Sequence, residues 1–377
     1  MEQEMIVPQG RFQLARLPHR RQETLRAWDA ADEYLLTHLA EIGLSDRARI
    51  AILNDGFGAL AVALHAFRPT AISDSWLSQQ ATRDNLRRNG LDVANVALLD
   101  SLGLPSPGID CLLIKIPKTL ALLEHQLHGL KPRLAPGARV IAAGMVKNLP
   151  PTAWKLLERL LGPCTPSLAV KKARLLFVQV DPDLELPANP YPTRYRLEDD
   201  ELIVTNHANV FSRDSLDIGT RFLLRHLPDR TGYRDLIDLG CGNGVVGVML
   251  ARRYPAGRLV FVDESFMALA SARENFQTAF ADSRDAEFVA GDGLTEFPAE
   301  SADCVVCNPP FHQQHTVGDQ IAWSMFTHAQ RVLRSGGELR VIGNRHLNYQ
   351  LSLGKLFGNC RLVAANPKFS VFSCIKR

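Results

Sequence analysis

The sequence lacks the features that would place the chain in a membrane, in a secretory pathway or among disulfide-stabilised proteins. No apolar run approaches the roughly 18 residues that a membrane-spanning helix needs. The start carries Glu2 and Glu4 ahead of Pro8, not the basic and then apolar pattern of a secretory signal. The seven cysteines are odd in number and scattered, which argues against a disulfide framework. We therefore expect a reduced, cytoplasmic protein with no membrane partner.

The cysteines also fail to predict a metal site. Cys304 and Cys307 have the Cys-x-x-Cys spacing, but the sequence contains no second pair of this kind. They lie in an apolar run with the character of a strand, where positions three apart point to opposite faces of the sheet. We therefore interpret them as buried thiols and expect no bound metal.

Length and composition indicate an ordinary globular protein of two domains. The chain has 377 residues, which is long for a single core. Its hydrophobic content of 46% and charged content of 22% are typical of globular proteins. We expect a monomer with domains at residues 1–180 and 197–377, joined by a Pro- and Asp-rich linker at residues 181–196.

The most informative stretch is the apolar run 304–307 and the four residues after it. The run stops at two prolines, which is typical of a buried strand that ends in a stiff loop. The Asn308 side chain and the Pro309 carbonyl can accept hydrogen bonds from an NH2 group, and Phe311 offers a flat face for stacking. Pro309 and Pro310 have no amide hydrogen to compete, and their φ angles are fixed. An amine held this way would aim its lone pair at a methyl donor. The alternative is a plain strand-ending turn.

A glycine-rich turn indicates where the donor would bind. An apolar strand at residues 236–239 runs into Gly240, Gly242 and Gly244 and then into a helical pattern. Such glycines let the backbone approach a ligand closely, although dinucleotide-binding enzymes use a similar turn. Asp238 precedes the first glycine and favours S-adenosylmethionine, because a carboxylate there would lie near the sulfonium or amino cation.

The next two strands end in acidic residues as well. The strand at residues 259–262 is followed by Asp263 and Glu264, and a carboxylate at this distance from a glycine loop can bind ribose hydroxyls. The strand at residues 287–290 is followed by Asp292 and Gly293, where Asp292 could bond the adenine amino group. Packing alone does not account for three successive strand ends of this kind.

These motifs resemble a known family. Residues 200–377 are similar to class I S-adenosylmethionine-dependent methyltransferases that methylate amino groups, through Asp-Leu-Gly-Cys-Gly-Asn-Gly at 238–244 and Asn-Pro-Pro-Phe at 308–311. Nearly the whole chain resembles the ribosomal RNA guanine-N2 methyltransferases of the RlmG and RsmC type, and RlmG most closely. The stretches that carry this match include residues 206–213, 216–219, 308–315 and 357–360, with 28–36 near the start.

The resemblance implies an α/β fold of two tandem Rossmann-like domains, each a mostly parallel seven-stranded sheet with helices on both faces. It implies methyl transfer to the 2-amino group of a guanine in ribosomal RNA, most closely the 23S RNA of the large subunit. The 16S RNA of the small subunit, a protein glutamine, adenine in DNA and a non-catalytic RNA-binding role remain as alternatives. The expected cofactor contacts are Asp238, Gly240, Cys241, Gly242, Asn243, Gly244, Asp263, Glu264, Asp292, Gly293 and Asn308.

The first half of the chain repeats the second in weakened form, which predicts a duplication. Asn54-Asp55-Gly56-Phe57-Gly58 takes the place of the glycine turn, and Asn54 and Phe57 fill positions where a cofactor-binding loop would keep its backbone free. Lys115-Ile116-Pro117-Lys118 takes the place of the strand end at 308–311, without an amide acceptor or an aromatic face. We therefore expect the first domain to be catalytically inactive.

Charge gives this inactive half a candidate role. Residues 1–180 contain 22 Lys and Arg against 16 Asp and Glu, whereas the rest of the chain contains 21 against 24. A basic face suits contact with RNA phosphates, although solvated helix surfaces are the simpler interpretation. The predicted substrate contacts are Lys115, Lys118, Lys171, Lys172 and Arg174 in the first domain and Phe211, Arg213, His312, Gln313 and His315 in the second.

Overall fold

The computed structural model describes residues 3–19, 23–198, 200–310 and 315–377, with the backbone alone at residue 282 and residues 315–319. The chain divides into two units, Met1–Tyr191 and Pro192–Arg377. This boundary lies inside the predicted linker, and the last four residues of that linker already form a strand of the second unit.

The first unit contains nine strands and five helices among its described residues. Its strands are β1 Glu4–Val7, β2 Gly10–Gln13, β3 Ile50–Leu53, β4 Thr70–Ile72, β5 Ala97–Leu99, β6 Ile109–Lys115, β7 Leu134–Met145, β8 Cys164–Pro166 and β9 Ala173–Val178. Its helices are α1 Ala30–Ile42, α2 Ala59–Ala63, α3 Trp76–Arg88, α4 Leu120–Leu130 and α5 Pro151–Leu160.

The second unit has the same numbers of strands and helices in the part of the chain that the structure describes. Its strands are β10 Thr193–Arg196, β11 Ile203–Asn206, β12 Asp235–Leu239, β13 Arg258–Asp263, β14 Glu287–Ala290, β15 Ala302–Cys307, β16 Leu333–Asn344, β17 Arg361–Ala365 and β18 Phe369–Ile375. Its helices are α6 Ile218–Leu224, α7 Val245–Arg253, α8 Phe266–Phe280, α9 His315–Val332 and α10 Tyr349–Phe357.

Each unit is built on a seven-stranded mixed sheet, and the two sheets have the same strand order. The orders are β5-β4-β3-β6-β7-β9-β8 and β14-β13-β12-β15-β16-β18-β17. In both, one strand near the edge (β9 or β18) runs antiparallel to its neighbours, and the other strands of the sheet are parallel to one another. The α/β class with two such sheets is confirmed, while descent of the two units from one duplicated domain stays a prediction.

The cores follow from side chains that alternate along buried strands. Leu236 and Ile237 of β12 enter two different clusters, one on each face of the second sheet. Helices α6, α7 and α8 pack on the first of these faces, and α9 and α10 pack on the other. The first sheet is covered in the same way, by α1 to α3 on one face and by α4 and α5 on the other.

Cys304 and Cys307 illustrate this alternation. Both thiols are buried, and they lie in the clusters on opposite faces of the sheet. A single metal ion therefore cannot be bound by both side chains. No helix within the described ranges is long and apolar enough to cross a bilayer.

Two details at the start of the chain differ from what the helical and polar patterns indicate. The pattern from residue 24 onward predicts a helix, but α1 begins only at Ala30, because the Asp29 side chain accepts the amides of Ala31 and Asp32 and caps it there. The first 20 residues have the appearance of a loose arm, yet β1 and β2 form a hairpin that buries Met5 and Phe12 against the first core.

A buried ion pair closes the carboxyl end of β6 in the first unit. The Lys115 ammonium lies 2.6 Å from Asp32 Oδ1 and 2.9 Å from Asp29 Oδ1, and the Lys115 side chain is only 14% exposed. Burial opposes the charge on Lys115, but Asp32 and Asp29 outweigh it and raise the pKa of the ammonium. Lys115 therefore serves the packing of α1 on the sheet, and the prediction that it contacts RNA phosphate is not supported.

Replacing Lys115 with alanine is expected to destabilise the first unit. The substitution leaves the Asp32 carboxylate buried without its partner, which costs about 3–5 kcal/mol of unfolding free energy. Lys118→Ala, three residues further on at an exposed position, serves as the control and is expected to change little. Denaturant unfolding of both variants measures the difference, and equal stabilities would contradict a structural role for the pair.

Candidate active site

The carboxyl ends of the central strands of the second sheet carry the candidate site. Strands β12 and β15 pair in parallel, with Leu239 opposite Cys307. The glycine turn after β12 and the Asn-Pro-Pro segment after β15 therefore leave the sheet side by side, about 4.8 Å apart between strands. Strands β13 and β14 continue the same edge, and ligands of open parallel sheets bind outside such strand ends.

The turn after β12 needs glycine for two different reasons. Gly240, Gly242 and Gly244 have φ angles of +71°, +54° and +75°, where side chains are strained. A Cβ atom on Gly242 would meet no atom within 4 Å, so the backbone here borders open space. A Cβ atom on Gly244 would lie 2.6 Å from Ala272 Cβ, so this glycine allows α7 to pack against α8.

The other two residues of this turn point their side chains into the protein. Cys241 is buried in the core beneath the turn. Asn243 donates to Asn206 Oδ1 at 2.8 Å and accepts from Val245 N at 3.2 Å, which fixes its amide inside the protein. Both residues can therefore offer a ligand their backbone, whereas the Asn243 side chain is committed to the protein itself.

Asp238 is a buried carboxyl group directly under the turn. Only 3% of the residue is exposed, and its Oδ2 accepts the Gly247 amide of α7 at 2.8 Å. Burial raises the pKa of Asp238 to about 8, with a further contribution from the nearby Asp263. A cation placed beside this group would favour the ionised form and lower that pKa again.

The end of β13 provides two carboxylates with different surroundings. Asp263 Oδ2 accepts the Gly242 amide at 2.9 Å, and its Oδ1 accepts the Ser265 amide at 3.0 Å. Asp263 therefore ties the glycine turn to the neighbouring strand end. Glu264 is exposed, so its carboxylate faces solvent beside the same turn.

The end of β14 brings Asp292 next to a histidine that the sequence motifs did not indicate. Burial raises the pKa of Asp292, and the nearby His328 opposes that shift. Gly293 has a φ of +55°, and a Cβ atom on it would lie 2.9 Å from His328 Nδ1. His328 lies on α9, well beyond the carboxyl end of β15 in the chain, so only the packing of that helix reveals it.

Asn308 is held by its amide nitrogen and leaves its oxygen without a partner. Nδ2 donates to Thr220 Oγ1 at 3.0 Å. Oδ1 is buried and accepts no hydrogen bond from any residue that the structure describes. An unsatisfied buried acceptor costs about 1–3 kcal/mol, so a donor supplied by a ligand is the natural partner for this oxygen. Pro309 is buried beside it and Pro310 is exposed.

The remaining residues with a predicted role in the second unit divide into two groups. Phe311, His312 and Gln313 lie outside the described residues, as does the side chain of His315, the first residue of α9. Phe211 is 61% exposed, whereas Arg213 donates to the Ala208 carbonyl at 3.0 Å and braces its own loop.

The first unit fills the equivalent positions with its own side chains. Asn54 stands where Gly240 stands, with a φ of +60°, and exchanges two hydrogen bonds of 2.9 Å with Gln126. Lys115 stands where Asn308 stands, because Leu53 pairs with Ile114 as Leu239 pairs with Cys307. Among the described residues of the first unit, these side chains leave no binding site for a methyl donor comparable to the candidate site of the second unit.

The other basic residues of the first unit that have a predicted role lie at or near the same edge of its sheet. Lys118 is exposed just beyond β6, and Arg174 is half-buried at the start of β9. Lys171 and Lys172 form the two-residue turn before β9, closed by reciprocal hydrogen bonds between Val170 and Ala173. Lys171 pairs with Glu33 at 3.0 Å but keeps 72% of its side chain exposed.

Two further basic residues lie at the equivalent edge of the second unit and were missed by the sequence analysis. Arg345 and Lys368 are exposed, and the Arg345 amide donates to the Lys368 carbonyl at 3.0 Å. Arg345 directly follows β16, the strand next to β15, and Lys368 directly precedes β18. No motif marks them, since each is a single cation in a loop.

Comparison with known proteins finds two matching families and a solved structure of similar fold. The family described as "RLMG N-terminal domain" matches residues 2–182, and the family described as "Methyltransferase small domain" matches residues 201–373. A solved structure of similar fold is the T. thermophilus 16S rRNA N2 methyltransferase RsmC, in complex with AdoMet and guanosine. Its TM-score is 0.76 at 21% identity, with 99% of this chain and 97% of that chain covered.

Curated relatives are similar over the full length. The ribosomal RNA large subunit methyltransferase G of Streptomyces avermitilis is 52% identical, with 100% of both chains covered. The protein of the same name from Pseudomonas paraeruginosa is also 52% identical, with 98% of both chains covered. The chain therefore belongs to the family of the ribosomal RNA large subunit methyltransferase G.

Proposed function

We propose that this protein transfers a methyl group from S-adenosylmethionine to the exocyclic 2-amino group of a guanine in the ribosomal RNA of the large subunit. The observation that carries the proposal is Oδ1 of Asn308 at the strand end next to the glycine turn, which is buried and has no hydrogen-bond partner among the residues that the structure describes. This oxygen is placed to accept a hydrogen bond from an amino group, and the family relationship identifies the class of substrate.

The residues of the turn fit the methyl donor. The open backbone at Gly242 leaves room for the methionine part, Glu264 faces the position expected for the ribose, and Asp292 that expected for the adenine. Asp238 lies beneath the position of the amino and sulfonium cations. S-adenosylmethionine, when bound, would supply a methyl group on a positively charged sulfur, which is a good leaving group because it departs as a neutral thioether.

The chain contributes orientation and electrostatics to the transfer. Asn308 Oδ1 and the Pro309 carbonyl accept the two N–H groups of the amine, which directs its lone pair at the methyl carbon. Transfer of the methyl group would place positive charge on the nitrogen, and these two oxygens would stabilise it. The nitrogen then loses a proton to solvent, so no general base is required. A base paired within a helix would first leave its stack.

The first unit is proposed to hold the RNA. Lys171 and Lys172 have φ angles of +47° and +63°, the geometry of a type I′ turn, which favours Asn-Gly. Two lysines in this conformation store strain of about 1–3 kcal/mol each. Together with exposed Leu168 and Lys118, they present cations and an apolar side chain to a partner. The ion pair of Lys171 with Glu33 is exposed and therefore weak enough to exchange for a phosphate.

Asn308→Ala is expected to lower methyl transfer by about 100-fold or more, because it removes an acceptor that orients the amine. S-adenosylmethionine affinity should stay near that of the native protein. The measurement is tritium transfer from labelled S-adenosylmethionine to unmodified large-subunit RNA, with small-subunit RNA and a glutamine-containing protein as competing substrates. Gln277→Ala, at an exposed site on α8, is the control. Label in the small-subunit RNA or protein alone would refute the proposed substrate.

The affinity for S-adenosylmethionine is expected to rise with pH up to about 8. Below that pH the free Asp238 carboxyl holds a proton, and the cationic ligand must displace it, which weakens binding by up to tenfold per unit. Calorimetric titration between pH 6 and 8 measures this slope. Asp238→Asn keeps an oxygen for the Gly247 amide and should lose the slope, because the ligand's own titration is common to both proteins. An unchanged slope in the variant would rule out this contact.

The double variant Lys171→Asn and Lys172→Gly tests RNA docking without unfolding the turn. Asn-Gly is the preferred type I′ sequence, so we expect the hairpin to be retained or stabilised while two cations are lost. RNA affinity and the slope of log K against log salt should both fall, the slope by about 1.4–1.8. Arg47→Gln with Lys155→Gln, two exposed cations outside this turn, is the charge-matched control. Equal losses in both proteins would indicate a general charge effect instead.

A further inference from the structure

We infer that Thr220, held by Asp217, determines which way the Asn308 amide faces, and that Thr220 is therefore a positioning residue for methyl transfer. This inference rests on the proposed role of Asn308 as the acceptor for the substrate amine. It concerns a contact between the start of α6 and the end of β15, which are 88 residues apart in the chain.

The hydrogen bonds around Thr220 have a defined direction. Asp217 caps α6, and its Oδ2 accepts both the Thr220 amide at 2.9 Å and the Thr220 hydroxyl at 3.3 Å. A carboxylate can only accept, so the hydroxyl hydrogen is committed to Asp217. The Thr220 oxygen then has only lone pairs to offer Asn308, and it accepts the amide nitrogen at 3.0 Å.

This direction selects one of two amide orientations. The oxygen and nitrogen of an asparagine side chain have nearly the same shape, so rotation by 180° would exchange them at little steric cost. The rotated Asn308 would set its carbonyl oxygen against the Thr220 oxygen, and neither atom would have a hydrogen to donate. It would also turn an NH2 group toward the substrate amine, which is itself a donor. The Asp217–Thr220 pair therefore keeps Oδ1 toward the substrate.

The backbone around this contact leaves little room for adjustment. Gly219 lies between the two residues, and a Cβ atom on it would come within 3.0 Å of Asp217 Oδ2 and 3.2 Å of Phe369 Cε1. A side chain at this position would therefore require Asp217 or Phe369 to shift by a few tenths of an ångström. Thr220 itself is only 9% exposed, so water competes little for its hydroxyl.

The first unit shows the same contact with different chemistry. Asp29 caps α1 as Asp217 caps α6, and Asp32 occupies the third helical position as Thr220 does. Asp32 meets Lys115, which stands at the strand end where Asn308 stands. The residue at the third helical position thus contacts the strand-end residue in both units. Its side chain is chemically matched to the strand-end side chain that it contacts. A carboxylate faces the ammonium of the inactive unit, and a hydroxyl faces the amide of the catalytic one.

Two substitutions separate a positioning role from a purely structural one. Thr220→Val keeps the shape and removes the hydroxyl, whereas Thr220→Ser keeps the hydroxyl and removes a methyl group. We expect the valine variant to lose turnover by about 10–100-fold at unchanged S-adenosylmethionine affinity, since the acceptor is then misplaced part of the time. The serine variant should stay within a few-fold of the native rate. Equal losses in both variants, or none in the valine variant, would overturn the inference.

A double variant identifies the residue through which Thr220 acts. If Thr220 acts only by orienting Asn308, the variant Thr220→Val with Asn308→Ala should transfer methyl groups no more slowly than Asn308→Ala alone. Multiplied losses would mean that Thr220 acts elsewhere. Should the valine variant fail to fold or to bind S-adenosylmethionine, Thr220→Ala provides a second hydroxyl deletion to compare with serine.

The same set distinguishes failure of this inference from failure of the proposed function. Full activity of Asn308→Ala would remove the proposed role of Asn308, and with it the reason for positioning the amide. An inactive Asn308→Ala together with a fully active Thr220→Val would refute only the inference. Each rate is measured as tritium transfer to unmodified large-subunit RNA by the full-length protein.

Discussion

The parallel pairing of β12 with β15 is the constraint on which the site depends. It places the start of the glycine turn and the Asn308 acceptor at the ends of adjacent strands of one rigid sheet, with Asp238 opposite Val306. Methyl transfer needs the nitrogen and the methyl carbon within about 3–3.5 Å and in line, a tolerance that two loops alone could not maintain. The sheet supplies this precision, and β13 and β14 extend the same edge.

The first unit shows what this edge becomes when no ligand is expected. The polar groups at the ends of β3 and β6 are still buried, so each needs a partner, and the chain supplies them: Gln126 for Asn54, and Asp29 with Asp32 for Lys115. In the second unit the corresponding acceptor, Asn308 Oδ1, has no partner among the described residues. The difference between the two edges is therefore one of hydrogen-bond completion, while the strand order of the two sheets is the same.

Sequence reasoning succeeded where the signal is local and failed where the partner is remote. The glycine turn, the acidic strand ends and Asn308 each lie within a few residues of an apolar strand, so their placement at one edge could be predicted. In the sequence alone, Lys115 cannot be told from an exposed cation that binds phosphate, because its partner Asp29 lies 86 residues away in the chain. The same holds for Asn243, whose side chain is taken by Asn206, and for His328, which only the packing of α9 brings to Asp292.

The capping residues of α1 and α6 extend this argument to the division of labour between the units. Asp29 and Asp217 cap the start of each helix in the same way, which brings the third helical residue to the carboxyl end of β6 in the first unit and of β15 in the second. A cap that stabilises a helix thus also determines the environment of the residue at that strand end. Exchange of the strand-end residue between the two units would therefore require a matched change at the helix. A lysine placed beside Thr220 would have Asp217 nearby but no counterpart of the Asp32 carboxylate, and an asparagine beside Asp32 would lie next to an uncompensated carboxylate.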